Sequence, residues 1–401
     1  MPKKLDLTDF DPAGLKVLMR VDFNVPMDNN RNITDDTRIQ AALPSIRYIV
    51  DRGGSVILMS HLGRPKGTID PALSLRPVAD RLGQLVEAPV RFALDTVGPD
   101  AEKQAGGLAP GQILLLENLR FNPGETGNDP GFSAGLADLG DTYVNDAFGT
   151  AHRAHSSTVG ITRHFEACRA GFLMEKELEF LGSLVTDPER PFVAVLGGAK
   201  VGGKVDVILN LLDKVDTLLL GGGMIFTFLE VHGLNIGNSL RDEASLDVAR
   251  QILDRSRSST TRFVLPEDCV VANAFDEKAE KKECLVTDIP ADWMGLDIGP
   301  KTSAMYREIL AGARSVFWNG PMGVFELPSF AHGTRAVAEA IASVTDNGAR
   351  SVVGGGDSVA ALNQMGLAGR VSHVSTGGGA SLEFMAGREL PGVTALTNAC
   401  G

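Results

Sequence analysis

Cysteine is scarce in this chain: four in 401 residues, Cys168, Cys269, Cys284 and Cys400, with no C-x-x-C pair. That spacing offers neither a zinc pattern nor a disulfide framework and fits a reducing compartment; Cys400, beside the C-terminus, reads as a small side chain. No apolar run approaches the ~18 residues of a membrane span. Met1-Pro-Lys-Lys-Leu-Asp6 has no apolar h-region, so no signal peptide is expected and the location read from it is cytoplasmic. Basic residues are outnumbered 38 to 50, and the net charge of −12 argues against general nucleic-acid binding or adhesion to anionic membranes. Short-period repeats and low-complexity tracts are missing. So is a complete G-x-G-x-x-G, since Gly221/Gly223, Gly354/Gly356 and Gly377/Gly379 all lack the last glycine. This weakens a nicotinamide-dependent reading. With no G-x-S-x-G serine and no cysteine in an activating context, no covalent nucleophile is expected.

What remains is ordinary for a globular protein, 43% hydrophobic and 22% charged, in a chain long enough for two domains. Short apolar runs recur: Val17–Val21, Ser55–Met59, Ile113–Leu116 and Thr142–Val144, then Phe192–Leu196, Thr217–Leu220, Phe263–Leu265, Ser315–Trp318 and Ser351–Val353. Helical spacing lies between them, as in Pro44–Arg52 and Leu246–Arg257. Strands alternating with helices predict α/β architecture, two doubly wound, Rossmann-like parallel sheets with ligands beyond the strand ends. Met174–Leu181 reads as a charged helix and Thr186–Pro191 as a turn. The predicted division is therefore 1–175, a hinge helix at 176–190, and 191–389.

Two glycine-rich signatures stand out, Leu196-Gly-Gly-Ala-Lys-Val-Gly-Gly-Lys204 and Gly354-Gly-Gly-Asp-Ser-Val359. Each follows an apolar run, where backbone N–H groups meet anions. Lys200, Lys204 and Asp357 add cations and a metal-binding carboxylate, a set suited to a polyphosphate with magnesium. Gly198 to Lys204 nearly matches a P-loop, but Val205 replaces the hydroxyl that would hold the metal. The competing reading is tight turns alone. In the first half, Arg38, His61, Arg64, Arg120 and Arg153 follow successive strands. Converged, they would bind a small, multiply charged anion through paired hydrogen bonds; scattered, they are surface ion pairs. His152 and His155 read as structural or hydrogen-bonding residues.

Nine motifs in order are similar to those of the phosphoglycerate kinase family. They are Arg20-Val-Asp-Phe-Asn-Val-Pro26, Ser60-His-Leu-Gly-Arg-Pro65, Glu117-Asn-Leu-Arg-Phe121, Asn145–Ser157, Gly197-Gly-Ala-Lys200, Gly221–Leu229, Trp318–Glu326, Gly354-Gly-Gly-Asp-Ser358 and His373–Ser381. The resemblance covers essentially the whole chain. It implies a monomeric, bilobed glycolytic kinase that moves a phosphoryl group between 1,3-bisphosphoglycerate and ADP, in line, with domain closure. It also implies that residues 390–401 pack on the first lobe.

On the family's pattern the glycerate meets Asp22, Phe23, Asn24, His61, Leu62, Gly63, Arg64, Arg120 and Arg153, with Arg38 beside the carboxylate and the transferring group. Gly221, Gly222, Gly295 and Pro321 would wall the adenine slot, although a plain turn glycine stays open for Gly295. Glu326 would hold the ribose; Lys204, Asn319, Gly355, Gly356 and Ser358 the phosphates; Asp357 the magnesium. Arg38, Lys200, Lys204 and backbone near Gly378 would stabilise the transferring group. One departure is Val201-Gly-Gly-Lys204, where Gly202 and Gly203 remove a possible helix cap and predict a looser helix start. Two other classes share such a scaffold. A dinucleotide oxidoreductase is opposed by the missing G-x-G-x-x-G, and a binding protein without turnover by the intact Arg38, Lys200, Lys204 and Asp357.

Overall fold

The computed structural model describes residues 2–399, so Cys400 and the last position of the tail lie outside the described residues. Six parallel strands form the first sheet: β1 Lys16–Arg20, β2 Ser55–Met59, β3 Val90–Phe92, β4 Ile113–Leu115, β5 Thr142–Asn145 and β6 Cys168–Ala170. Their order is β3-β4-β2-β1-β5-β6. Every residue of β2, β4 and β5 is buried, as strands covered on both faces require. The registers bring Arg20 level with Met59 and with Asn145, so the segments that follow leave along one edge. The order reverses between β1 and β5, which puts a crevice beyond those strand ends.

Helix Thr37–Val50 buries Ile39, Ala42, Leu43, Ile46 and Ile49 on one stripe. The sequence pattern placed its start at Pro44. The stripe carries the helix nearly two turns further back, and the single backbone bond that proline forfeits does not interrupt it.

The later part repeats the theme with β7 Phe192–Leu196, β8 Thr217–Leu220 and β9 Arg262–Val264. Next come three antiparallel strands, β10 Asp268–Ala272, β11 Lys281–Leu285 and β12 Met294–Ile298. Then follow β13 Ser315–Asn319, β14 Arg350–Gly354 and β15 His373–Val374. The parallel sheet runs β15-β14-β13-β7-β8-β9, reversing between β7 and β13, and the small sheet runs β11-β10-β12. The antiparallel sheet was not foreseen.

Residues through Glu179 with those from Glu389 onward make one compact unit, and Phe180–Arg388 make the other. The boundary falls inside a helix, Phe172–Thr186. In the first unit the returning tail is bonded closely. Leu5 N–H donates to Thr397 C=O at 2.9 Å, and Gly392 N–H to Ala151 C=O at 2.8 Å. Lys4 Nζ donates to Leu396 C=O and Asn398 Oδ1, while Leu390, Val393 and Leu396 are buried. Among the described residues no helix is long and apolar enough to cross a membrane.

Candidate functional site

Arg20, the last residue of β1, is fully buried. Its Nε donates to Ser157 Oγ at 2.8 Å, a further N–H donates to the Val21 carbonyl, and Nη2 meets His61 Nδ1 at 3.2 Å. Ser157 in turn donates to both oxygens of buried Glu125, at 2.6 and 3.0 Å. A buried cation and a buried carboxylate are thus joined through one hydroxyl. Burial drives the His61 imidazole well below its usual range; Asp22 offsets part of this, and Arg20, Arg120 and Arg38 add to it. His61 is therefore neutral at pH 7. Because Arg20 donates to its Nδ1, the proton sits on Nε2, leaving a donor for an anion.

Asp22 follows β1 and accepts from Arg38 Nη1 at 2.6 Å and from Asn24 N–H at 3.2 Å. Burial pushes its carboxyl up, but positive charge led by Arg38 outweighs this and holds it below the ordinary value. The loop after β2 is fixed through Gly63, whose N–H donates to Asn24 Oδ1 at 2.9 Å and whose carbonyl accepts from Arg120 Nη1 at 2.8 Å. Buried Asn118 braces the same loop: it accepts from Leu62 and Arg120 N–H and donates to the Leu62 and Leu73 carbonyls. Burial, then Arg20, lower Arg120 to about 10, so it remains charged.

Asp22, Asn24, Arg38, His61, Gly63 and Arg120 thus meet in one place. Arg64 and Arg153 are exposed beside it, Arg153 against His152 Nε2 at 3.1 Å. Phe23 and Leu62 turn inward to the core, with Phe23 N–H on Ser60 Oγ at 2.9 Å. They position the loops and present no side chain to a ligand. Arg20, Glu125, Asn118 and Ser157 were missed as site residues. Arg20 heads a quoted motif but lies inside a strand, and Glu125 has no local pattern.

In the second unit an apolar slot of about 620 Å³ is walled by Gly222, Phe226, Leu240, Gly295, Pro321 and Met322, among others, with exposed Glu326 at its rim. Gly222 has φ +68°, and a Cβ there would lie 2.5 Å from Gly198 N, so two loops pass backbone to backbone. Gly221 packs under Met322, whose Sδ would sit 2.4 Å from an added Cβ. Gly295 lies in β12, not in a turn; a Cβ there would meet the Phe226 ring at 2.0 Å. Two positions on, Asp297 is buried and accepts from Ile298 N–H at 2.9 Å and Gly333 N–H at 2.8 Å. Burial pushes it up to about 7 against those bonds. It also lines the slot, and the sequence reading missed it because the surrounding run drew notice for its glycines.

Gly198, Ala199 and Asp357 border both this slot and a second cavity of about 450 Å³ holding Lys200, Lys204, Asn319, Gly355, Gly356 and Gly378. Lys204 Nζ donates to Asn319 Oδ1 at 2.8 Å. Burial lowers the ammonium, partly offset by Asp357. Asn319 Nδ2 is buried with no hydrogen-bond partner. An amide donor left so is costly unless a ligand accepts from it. Ser358 also lines the cavity, and its buried hydroxyl accepts from Gly320 N–H at 2.5 Å, which braces the β13 loop. Lys200 and Asp357 are exposed. The Gly202–Lys204 stretch forms a 3₁₀ turn leading into helix Val205–Leu211 with no side-chain cap, anchored by Lys204 N–H to Val201 C=O at 2.8 Å.

Each sheet gathers anion-binding groups where its strand order reverses, one unit with clustered cations and the other with an apolar slot that shares wall residues with a cavity lined by two lysines. That combination defines a two-unit α/β phosphotransferase. The sequence profile described as phosphoglycerate kinase matches residues 7–388. The phosphoglycerate kinase of Chlorobaculum tepidum is 54% identical over 396 residues, covering 99% of this chain and all of that protein. That of Chloroflexus aurantiacus is 56% identical over 398 residues, covering 99% of each. The solved phosphoglycerate kinase of Coxiella burnetii superposes with a TM-score of 0.85 at 40% identity, over 98% of this chain and 99% of that one. The chain belongs to the phosphoglycerate kinase family.

Proposed function

We propose that this chain catalyses reversible phosphoryl transfer between 1,3-bisphosphoglycerate and ADP, giving 3-phosphoglycerate and ATP in glycolysis or gluconeogenesis. The first unit takes the glycerate and the second the nucleotide. The observation that carries the reading is the orphaned Asn319 Nδ2 beside Lys204, in a cavity that shares Gly198, Ala199 and Asp357 with an apolar slot. Adenine fits the slot, the ribose meets Glu326 at its rim, and the phosphates take the unpaired amide, both lysines and the backbone of Gly355, Gly356 and Gly378.

Magnesium fits this donor set. It prefers one or two carboxylates together with phosphate oxygens and water, and Asp357 offers an exposed carboxylate on the wall of the phosphate cavity. No group of three potential metal-binding side chains occurs among the described residues, so the ion would arrive with its nucleotide. Once bound, it would neutralise phosphate charge.

The glycerate's stable phosphate is held by Arg64, Arg120, Arg153 and the His61 Nε2 proton. Asp22 and Asn24 orient its hydroxyl and carboxyl end. Arg38 and Lys200 supply fixed charge to the equatorial oxygens of the transferring group, whose attacking and leaving oxygens lie in line. The accepting carboxylate is already ionised at neutral pH, so no general base is required.

The reading includes a cytoplasmic, monomeric enzyme of small-molecule substrates, with neither nucleic acid nor membrane as partner; sedimentation checks the monomer. A coupled assay of 3-phosphoglycerate with MgATP tests the activity. Absence of turnover, with both ligands bound, would leave only a binding protein.

A further inference from the structure

Cys269 and Cys284 lie fifteen positions apart, yet their sulfurs are 3.8 Å from one another. They are direct partners in the antiparallel register of β10 and β11. Flanking bonds from Val286 N–H to Glu267 C=O and from Asn273 N–H to Glu280 C=O fall at the same alternate positions, which makes the cysteines a hydrogen-bonded pair. Such pairs hold their Cα atoms about 5.5 Å apart, inside the range that disulfides span, and the Cβ atoms must draw closer for the bond to close. Cys269 is buried and Cys284 half-buried, on an edge strand whose Lys281, Lys282 and Glu283 are exposed. The inner thiol is sheltered while the outer one can be reached. Both are free thiols.

The position in the fold gives the pair a consequence. On its other side β10 is bonded to β12, which carries Gly295 and Leu296 along the apolar slot. The loop joining β10 to β11 carries Phe275, which is 64% exposed and lines the same slot.

We propose that Cys269 and Cys284 are a modification site for small-molecule disulfides, closing reversibly into a cross-strand disulfide that ties the edge hairpin to the slot wall. The Cys284 thiolate attacks one sulfur of the small disulfide, forming a mixed disulfide and releasing one thiolate. The Cys269 thiol then attacks Cys284 Sγ, its proton passing to the departing small-molecule sulfur, which breaks the mixed disulfide and releases the second thiol. Two protein thiols are oxidised by two electrons, and one small disulfide is reduced to two thiols.

Incubation of the full chain with oxidised glutathione tests this by non-reducing peptide mass mapping. The expected result is a linked peptide pair containing Cys269 and Cys284, two thiols lost per chain, and reversal by dithiothreitol. Amide exchange across 273–280 should slow about tenfold in the linked form. Cys284→Ser should abolish the link, and Cys269→Ala should trap glutathione on Cys284. If Cys269→Ala does not fold, Cys284→Ser and the mass map of the unaltered chain decide alone. A persistent glutathione adduct on Cys284 in the unaltered chain, or linkage through Cys168 or Cys400, overturns the site. Unchanged exchange in a linked hairpin overturns the tether.

Discussion

Arg20 in the first unit and Lys204 in the second are both cations beneath a strand-end site, and their surroundings differ. Arg20 is sealed in, linked to Glu125 through Ser157 and pressed against a neutral His61. The Lys204 ammonium donates to Asn319 and, among the described residues, otherwise faces glycine and open cavity. A small ligand with several charges presents little apolar area, so its binding must come from cations whose desolvation is met during folding. A nucleotide brings a base and a ribose, so its site needs space and backbone, and glycine supplies both. Charge is pre-arranged in one unit, and room in the other.

That contrast breaks first at Arg38. Arg38→Ala should lower kcat about a hundredfold, the ~3 kcal/mol of a fixed charge aimed at a transition state, with MgADP affinity unchanged. Lysine there should recover only part, lacking the planar fork. Steady-state kinetics decide, and a sharp rise in glycerate KM at constant kcat would assign Arg38 to binding alone.

Smaller effects are expected at the anion cluster. Arg120→Ala should weaken 3-phosphoglycerate about tenfold to a hundredfold, the range of a charge-assisted hydrogen bond, and spare MgADP by calorimetric titration. Arg64→Ala should weaken the same ligand without loss of thermal stability, since the side chain is exposed and no hydrogen bond or ion pair to another described residue holds it. Equal losses for both ligands would erase the proposed division of labour.

In the second unit, Asp357→Asn should weaken magnesium-dependent nucleotide binding by about tenfold and leave metal-free binding intact. Titrations that fall equally with and without the ion remove Asp357 as its ligand.

The smallest effect is in pH. Burial, then nearby arginines, lower His155 from 6.5 to about 4, so the unfolded chain takes up that proton first on acidification. The first unit should lose stability from about pH 6.5 downward, His61 acting in the same direction and Asp146, raised by burial to about 6, opposing. Asp297 holds its proton more tightly when folded, so the second unit should gain stability as pH falls from about 7. Both tryptophans, Trp293 and Trp318, lie in the second unit. At pH 5 their fluorescence should report a denaturant midpoint no lower than at pH 7, while amide exchange in β1 and β5 accelerates. The tryptophan signal failing first would reverse the assignment.

Legibility followed burial. Runs such as Ser55–Met59 and Phe192–Leu196 were readable because strands covered on both faces are apolar throughout. β11, Lys-Lys-Glu-Cys-Leu, is an exposed edge with no such pattern, and β3, β6 and β15 are too short to show one. Missing β11 also hid the approach of Cys269 to Cys284, which spacing alone had made look unrelated. Arginines after strands were visible because sequence position places them. Asn118, Glu125 and Asp297 were not, because each has a partner far off in sequence: Leu62 for Asn118, Ser157 for Glu125 and Gly333 for Asp297. Phe23 and Leu62 sit in the same motifs, yet their side chains pack into the core, and Ser358 braces a loop from the wall of the lysine-lined cavity.

The returning tail has a consequence for how the molecule is made. Lys4, Leu5 and Ala151 take their partners from residues beyond Glu389, on the far side of the whole second unit. A ribosome that has just delivered Arg388 has supplied everything the second unit contains. It has not yet supplied Leu390, Val393 or Leu396, which fill the first. The half of the protein that is translated first is the half completed last.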